Sequence, residues 1–256
     1  MGLEEEVKER ALGLGADLVG ICSVKEVEGY EPTLLPSASS CVVFLCGQAE
    51  GALSSNVRMA QYDTYCTYQK LGLIGRELVR LLEDRGFPSL SVPLALPLDM
   101  GEGKFGLRGE FSLRHAAVAA GLGELGLSRL LVTDRFGPRV RIGGVLTEAP
   151  LRSEGKRVEG ICRRCGRCMK ACPVGAVEEG RKVDVFRCAI NLLRYGPPGA
   201  AAFLSELAGK GAEERSQLTF DPVFLNLWQT TTLGTFYHCF ECVKACPVGR
   251  TRRATP

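Results

Sequence analysis

The sequence has no apolar run near the ~18 residues that a bilayer span requires. Its opening, MGLEEEVKER, lacks the basic-then-apolar order of a signal peptide. Both absences argue against a membrane or secreted protein and set the expectation of a cytoplasmic one. Disulfides are not the organising principle either. The chain holds 12 cysteines in 256 residues, about 5%, where disulfide scaffolds exceed ~8%, and the cysteines are too clustered for chance. They point to metal in a reducing compartment. What remains, 45% hydrophobic and 24% charged, is the composition of a globular protein.

Charge is split along the chain. Residues 1–155 carry 16 Lys and Arg against 20 Asp and Glu, whereas residues 156–256 carry 16 against 9. The basic half also holds eight of the twelve cysteines. Basic residues can contact nucleic-acid phosphates, but a cluster ligated by four thiolates brings negative charge that nearby Lys and Arg compensate. The second explanation is preferred because the charge and the cysteines coincide.

Apolar periodicity predicts a helix over 3–14 ending at Gly15, and short buried strands at 17–24 and 41–46 (CVVFLC). It also predicts one long helix over 57–86, with Leu71, Ile74, Leu78, Leu81 and Leu82 at helical spacing. LSVPLAL (90–96) reads as a strand, residues 97–110 as a glycine-rich loop, 112–121 as a short helix, and LLVTD and RVRIGGVLTE as strands. Helices and strands alternate, so residues 1–155 read as an α/β or α+β domain. A linker starting at Pro150 separates it from a second unit, 156–256.

That second unit contains a repeat. CGRCMKACPVG (165–175) and CFECVKACPVG (239–249) agree at eight of eleven positions, including every Cys and the Pro-Val-Gly tail. Cys162 completes C-x2-C-x2-C-x3-C-P in the first copy, the bacterial ferredoxin run, in which three thiolates converge on one cubane and the fourth ligates the other. In the second copy the matching position is Phe236, leaving Cys239, Cys242 and Cys246. Cys188, in the helical stretch VDVFRCAINLL, brings the count to eight. The spacing therefore assigns Cys162, Cys165, Cys168 and Cys246 to one [4Fe-4S] cluster, and Cys172, Cys188, Cys239 and Cys242 to a second. Structural zinc also uses C-x2-C pairs, but the C-x3-C-P tail, its repetition and the eightfold count favour clusters.

The remaining signals are weaker. Cys22, Cys41 and Cys46 lie in apolar runs and read as core; Cys66 lies on the long helix with no evident partner. His238 abuts Cys239, where it is either a sulfur hydrogen-bond donor or a bystander, and His115 is either a ligand contact or a structural residue. Tyr62, Tyr65 and Tyr68 form a helical stripe that is either half-buried packing or a proton donor in a pocket. GLGELG (121–126) matches G-x-G-x-x-G as letters, but a dinucleotide site needs a strand before it and a helix after, and here the order is reversed. Its glycines still allow backbone to approach a flat, bulky cofactor.

Together, HAAVAAGLGELGLSRLLVTDRFGPRVRIGGVLTEAPL (115–151), the run Cys162–Pro173, the lone Cys188 and the shortened motif Cys239–Pro247 resemble the epoxyqueuosine reductase and reductive dehalogenase superfamily. LLPSASSCVVFLC (34–46) is similar to that family's early strand, and the likeness runs from about residue 11 to 250. The resemblance implies an α+β, nitroreductase-like α/β core followed by a bacterial-ferredoxin-like module with two [4Fe-4S] clusters, which feeds electrons to cobalamin. There is no D-x-H-x-x-G run, so a corrinoid would be held without a histidine ligand of that kind. The implied contacts are His115, Gly121, Leu122, Gly123, Arg141 and Ile142.

Two departures stand out. The family's catalytic Asp corresponds by ungapped counting to Leu107, and acids nearby include Asp99 and Glu110; Glu110 is the expected replacement proton donor. The sequence given ends at Pro256, just after the second cysteine motif, and shows no twin-arginine signal. The expectation is a minimal cytoplasmic iron-sulfur reductase. Its partners would be a low-potential donor such as a ferredoxin or flavodoxin and a small-molecule or nucleoside-like substrate or a corrinoid protein, with no membrane and with tRNA disfavoured. The alternative is an electron-transfer protein without a substrate of its own.

Overall fold

A strand as uniformly apolar as CVVFLC is stable only where both faces of its sheet are covered. The computed structural model, which describes residues 2–27, 33–98, 101, 109–178, 180, 183–234 and 237–250, meets that condition. Helix α1 (Leu3–Gly13) leads into strands β1 (Leu18–Ser23) and β2 (Ser40–Gly47), then helices α2 (Glu50–Ser54) and α3 (Val57–Glu83). Strand β3 (Ser89–Ser91), helix α4 (Leu113–Ala119) and strands β4 (Glu124–Leu125), β5 (Leu131–Val132) and β6 (Val140–Thr147) follow. One antiparallel sheet runs β1-β2-β6-β3, and β4 and β5 form a separate hairpin.

Side chains alternate along each strand. Ile21, Val42, Phe44 and Val145 therefore face Val7 and Ala11 of α1 and Leu71, Ile74 and Leu78 of α3. Cys22, Cys41, Val43, Leu45 and Leu146 face Ala116 and Ala117 of α4. Cys22 and Cys41 stand opposite each other in the register and, with Cys46, are core residues. Phe44 pairs with Gly143 of β6, whose missing side chain leaves the space its ring fills. A side chain at Gly75 of α3 would meet Ser91 Oγ at 2.5 Å and Phe44 Cζ at 3.5 Å, so the helix lies close against the sheet.

The structure departs from expectation at two places. LSVPLAL pairs only over Ser89–Ser91: the Val92 N–H still reaches the Gly144 carbonyl at 2.9 Å, but Pro93 has no N–H to continue the ladder. Helix α2 occupies a stretch for which no element was expected. Most of the loop 97–110, with Asp99 and Leu107, lies outside the described residues.

After Leu151 come α5 (Arg167–Lys170), α6 (Val185–Leu192), α7 (Pro197–Ala208), α8 (Ala212–Ser216), α9 (Pro222–Leu233) and α10 (Glu241–Ala245). Helices α5 and α10 occupy equivalent positions in the two repeat copies and pack on each other. The tail of the second copy is seated on the turn before β6. Gly249 and Gly137 both have left-handed backbone, φ +65° and +57°. A side chain at Gly249 would overlap the Phe136–Gly137 backbone, and one at Gly137 would overlap the Val248 carbonyl. Arg139, 4% exposed, donates to the carbonyls of Val243 (3.5 Å), Cys246 (3.1 Å) and Val248. These carbonyls lie at and beyond the end of α10, where intrahelical partners run out. Among the described residues no helix is long and apolar enough to cross a membrane.

Two measurements test this packing. Phe44→Ala should lower the unfolding free energy by ~3–5 kcal/mol in urea titrations; a loss below ~1 kcal/mol would mean the ring is not the wedge between sheet and α3. Arg139→Leu should raise amide exchange over residues 240–249 by about tenfold or more while β2 keeps its protection. Unchanged exchange there would remove Arg139 from its role as the tie.

Candidate functional site

Thiolates must lose their protons to bind iron, so how the thiols affect one another reports how they are grouped. Burial is the first cause raising the pKa of Cys168, Cys188, Cys242 and Cys246, and neighbouring thiols add to it. Cys168 is raised further by Cys162 and Cys246, and Cys246 by Cys162 and Cys165, with Arg139 opposing. Cys188 is raised by Cys239, Cys172 and Asp184. Cys242 is pushed up to about 12, by burial and then by Cys239, Cys188, Cys168 and Cys172. The thiols thus fall into two groups, 162/165/168/246 and 172/188/239/242, with the influence of Cys168 on Cys242 linking them. Among the described residues no three His, Cys, Asp or Glu side chains converge as ligands of a single metal ion; a four-iron cubane spreads its thiolates more widely. Cys165 is the one exposed member of the eight.

Residues that sequence reading passed over hold these loops in place. The Glu124 carboxylate accepts the N–H groups of Gly160 (3.1 Å) and Cys162, and a side chain at Gly126 would meet Cys162 Sγ at 3.4 Å. Cys172 Sγ accepts the Ala176 N–H at 3.2 Å. His238 packs its ring edge on Tyr195, 4.6 Å between centroids. Burial, then Arg194, lowers its pKa to about 4, so it is neutral at physiological pH.

A polar junction lies between α3, β6 and the second cysteine motif. Thr64 Oγ1 accepts from Gln48 Nε2 (2.8 Å) and Arg141 Nη2 (3.2 Å) and donates to the Ala60 carbonyl. The Arg141 guanidinium lies 5.5–5.9 Å from the ring centroids of Tyr68, Tyr237 and Phe240. The Tyr68 and Tyr237 hydroxyls are 3.5 Å apart, and the Tyr237 N–H donates to Gln61 at 2.9 Å. Burial raises the Tyr237 hydroxyl above its ordinary pKa. Arg141 Nε and Gln48 Oε1 are buried without a hydrogen-bond partner among the described residues. Of the tyrosine stripe, Tyr62 and Tyr65 point outward and only Tyr68 turns in to this junction.

The residues expected at a corrinoid do not surround one space. Arg141 belongs to the junction, while its neighbour Ile142 points to the opposite face and packs with Leu122 in the core beneath α4. Side chains at Gly121 and Gly123 would meet the carbonyls of Lys156 (2.6 Å) and Val132 (2.5 Å), so these glycines admit the chain's own backbone. His115 Nδ1 lies 2.7 Å from Ser112 Oγ at the start of α4. Burial, then Arg114 and Arg129, lowers its pKa. Glu110 is exposed just ahead of α4.

Comparisons with known proteins agree with the cysteine pattern. Residues 156–178 match the 4Fe-4S binding domain. Over 74 residues, 28% of this chain and 13% of the relative, the sequence is 42% identical to the tetrachloroethene reductive dehalogenase of Desulfitobacterium hafniense. Over 216 residues, 72% of the chain and 63% of the relative, it is 26% identical to the epoxyqueuosine reductase of Gloeobacter violaceus. The matched stretches thus span less than two thirds of these relatives. Among solved structures, a reductive dehalogenase described as suggesting a mechanism for B12-dependent dehalogenation aligns over 90% of this chain and 36% of its own. It does so with TM-score 0.59 at 19% identity. An epoxyqueuosine reductase with an epoxyqueuosine-modified tRNA stem loop aligns over 75% of this chain and 57% of its own, with TM-score 0.53 at 22% identity. The chain is a homologue of the epoxyqueuosine reductases and reductive dehalogenases, with a mixed helix and strand fold and a 4Fe-4S binding domain.

Proposed function

We propose that the protein is an iron-sulfur reductase that takes single electrons from a low-potential donor such as a ferredoxin or flavodoxin and passes them through two [4Fe-4S] clusters to a corrinoid. Cys162, Cys165, Cys168 and Cys246 hold the first cluster; Cys172, Cys188, Cys239 and Cys242 hold the second. The observation that carries this reading is the packing of α5 on α10, which brings the two cysteine motifs together; in keeping with it, the thiols that raise Cys168 and Cys246 come from the first set and those that raise Cys188 and Cys242 from the second, apart from the influence of Cys168 on Cys242. All-thiolate donor sets suit iron-sulfur clusters. Residues 1–155 form the nitroreductase-like core and 156–256 the ferredoxin-like module.

The corrinoid enters from the B12-dependent relative and from the junction, where Arg141 Nε is a spare donor and Gln48 Oε1 a spare acceptor. An amide-fringed macrocycle satisfies both. When bound, cobalt supplies the strongly reducing centre. The chain's own residues orient it through Arg141 and Gln48; His115, Gly121, Leu122, Gly123 and Ile142 lie on the α4 side of the sheet and do not line that junction. Tyr237, whose hydroxyl burial keeps protonated, holds a proton at the junction, and Glu110 is the proposed proton donor. The substrate is a small or nucleoside-like molecule. The disfavour of tRNA rests on Leu107 and on where the sequence stops, and neither argument is carried by the described residues. The epoxyqueuosine reductase solved with a tRNA stem loop therefore keeps tRNA among the substrates to test.

A second reading is an electron-transfer protein that reduces a partner or a corrinoid protein. It is favoured by the scatter of the expected corrinoid contacts over two faces of β6.

Metal analysis of anaerobically reconstituted protein separates the two. About eight Fe and one Co per chain after incubation with cobalamin supports the reductase; about eight Fe with no retained Co supports electron transfer alone. Cys188→Ala should leave about four Fe per chain, and retention of all eight would refute the ligand assignment. Binding of a tRNA stem loop across a salt series tests the nucleic-acid substrate: an affinity that does not fall with salt excludes phosphate recognition.

A further inference from the structure

An electron entering the chain has to reach the first buried centre from solvent, and the eight cluster cysteines are unequal in this respect. Cys165 is exposed, and the other seven are half-buried. The segment around it, residues 156–170, is KRVEGICRRCGRCMK. Its bases, Lys156, Arg157, Arg163, Arg164, Arg167 and Lys170, are all exposed. Glu159 is its one acid.

Ion pairing among the described residues does not account for this charge, since none of the six bases forms one. Other exposed bases such as Lys25, Arg58, Lys70 and Arg76 are likewise outside the ion pairs, but they are scattered, whereas these six fall within fifteen residues around Cys165. Nor does the cluster absorb it. An oxidised cubane with four thiolates carries about −2, against six bases and one acid, so the collar stays positive with the cluster in place. Beside it, a shallow cavity of ≈ 430 Å³ is lined by Arg157, Val158, Cys162 and Arg164 together with Glu124 and Glu159. Val158 is 37% exposed at its rim. An exposed apolar residue next to arginines and a cluster thiol fits a transient protein contact, in which charge steers encounter and a small apolar centre sets the distance.

We infer that the collar formed by Lys156, Arg157, Arg163, Arg164, Arg167 and Lys170 is the docking surface for an acidic one-electron carrier protein, which delivers its electron to the cluster behind Cys165. The inference rests on the two-cluster reading. The step is simple: one electron leaves the carrier's reduced flavin or iron-sulfur centre, which is oxidised by one equivalent, and the oxidised cubane takes it up. No bond is made or broken. An electron carrier is favoured over RNA here because these bases flank the exposed thiol Cys165 along the chain and not the junction at Arg141.

The test is anaerobic stopped-flow reduction of the reconstituted full chain by an acidic flavodoxin hydroquinone, with dithionite as the small-molecule control. The second-order rate with flavodoxin should fall about tenfold or more between low and high salt. In Lys156→Glu/Arg157→Glu it should fall about fivefold or more at low salt, with iron content and dithionite reduction unchanged. Arg167→Gln, which removes charge without reversing it, provides a milder variant, with a smaller loss in the same direction. A flavodoxin rate indifferent to salt and to both variants overturns the docking surface. A variant that keeps the flavodoxin rate and loses affinity for a tRNA stem loop also overturns it and assigns the collar to RNA. Wild-type protein that neither binds about eight Fe nor bleaches with dithionite overturns the cluster reading instead, and the inference falls with it.

Discussion

The structure depends on how one buried guanidinium is used. Arg139 leaves the start of β6 and meets the carbonyls of Val243, Cys246 and Val248, closing the end of α10 from a strand a hundred residues earlier. A charged group this buried is tolerated only when its donors are occupied, and the three carbonyls occupy them. The two left-handed glycines, Gly137 and Gly249, let the backbones meet closely enough for those hydrogen bonds to form. The sheet thus fixes Arg139, Arg139 fixes the second cysteine motif, and that motif brings Cys246 to the thiols of the first.

The same strand serves two chemistries by alternation. Arg139 and Arg141 are two residues apart and so share a face of β6. The first ties down the cysteine module, and the second lies among Tyr68, Tyr237 and Phe240 with a spare donor. Val140 and Ile142, between and after them, pack into the apolar layer under α4. A register slip of one residue would bury both guanidiniums against alanines and expose the apolar pair, so the pairing of β2 with β6 is specified by polarity as much as by packing.

Much of this was legible in the sequence, and what was not has a common cause. CVVFLC announced a strand covered on both sides, the 3.6-residue spacing of Leu71, Ile74, Leu78 and Leu82 announced α3, and the doubled C-x2-C-x3-C-P pattern announced two groups of thiols. Each of these is a local pattern. Glu124, Arg139 and Tyr237 act through contacts across long stretches of chain and carry no local signature. Glu124 was hidden inside a string that resembled a nucleotide-binding motif, whose glycines instead make room for the backbone at Lys156 and Val132. The strand expected over LSVPLAL was cut short by a single missing N–H. Between the two repeats α6 was marked by VDVFRCAINLL, but α7 and α9 have neither motif nor strong periodicity to mark them.

The interleaving of the thiols also bears on how the protein is made. Cys246 belongs with Cys162, Cys165 and Cys168, while Cys172 belongs with Cys188, Cys239 and Cys242. Neither group is complete until the second repeat has left the ribosome and α10 has found α5. During synthesis the thiols of the first motif therefore stay without their later neighbours for as long as the intervening helices take to be translated. On the proposed ligand sets, cofactor delivery waits for tertiary structure, and any lesion that delays the seating of Gly249 prolongs the period in which those thiols can be oxidised.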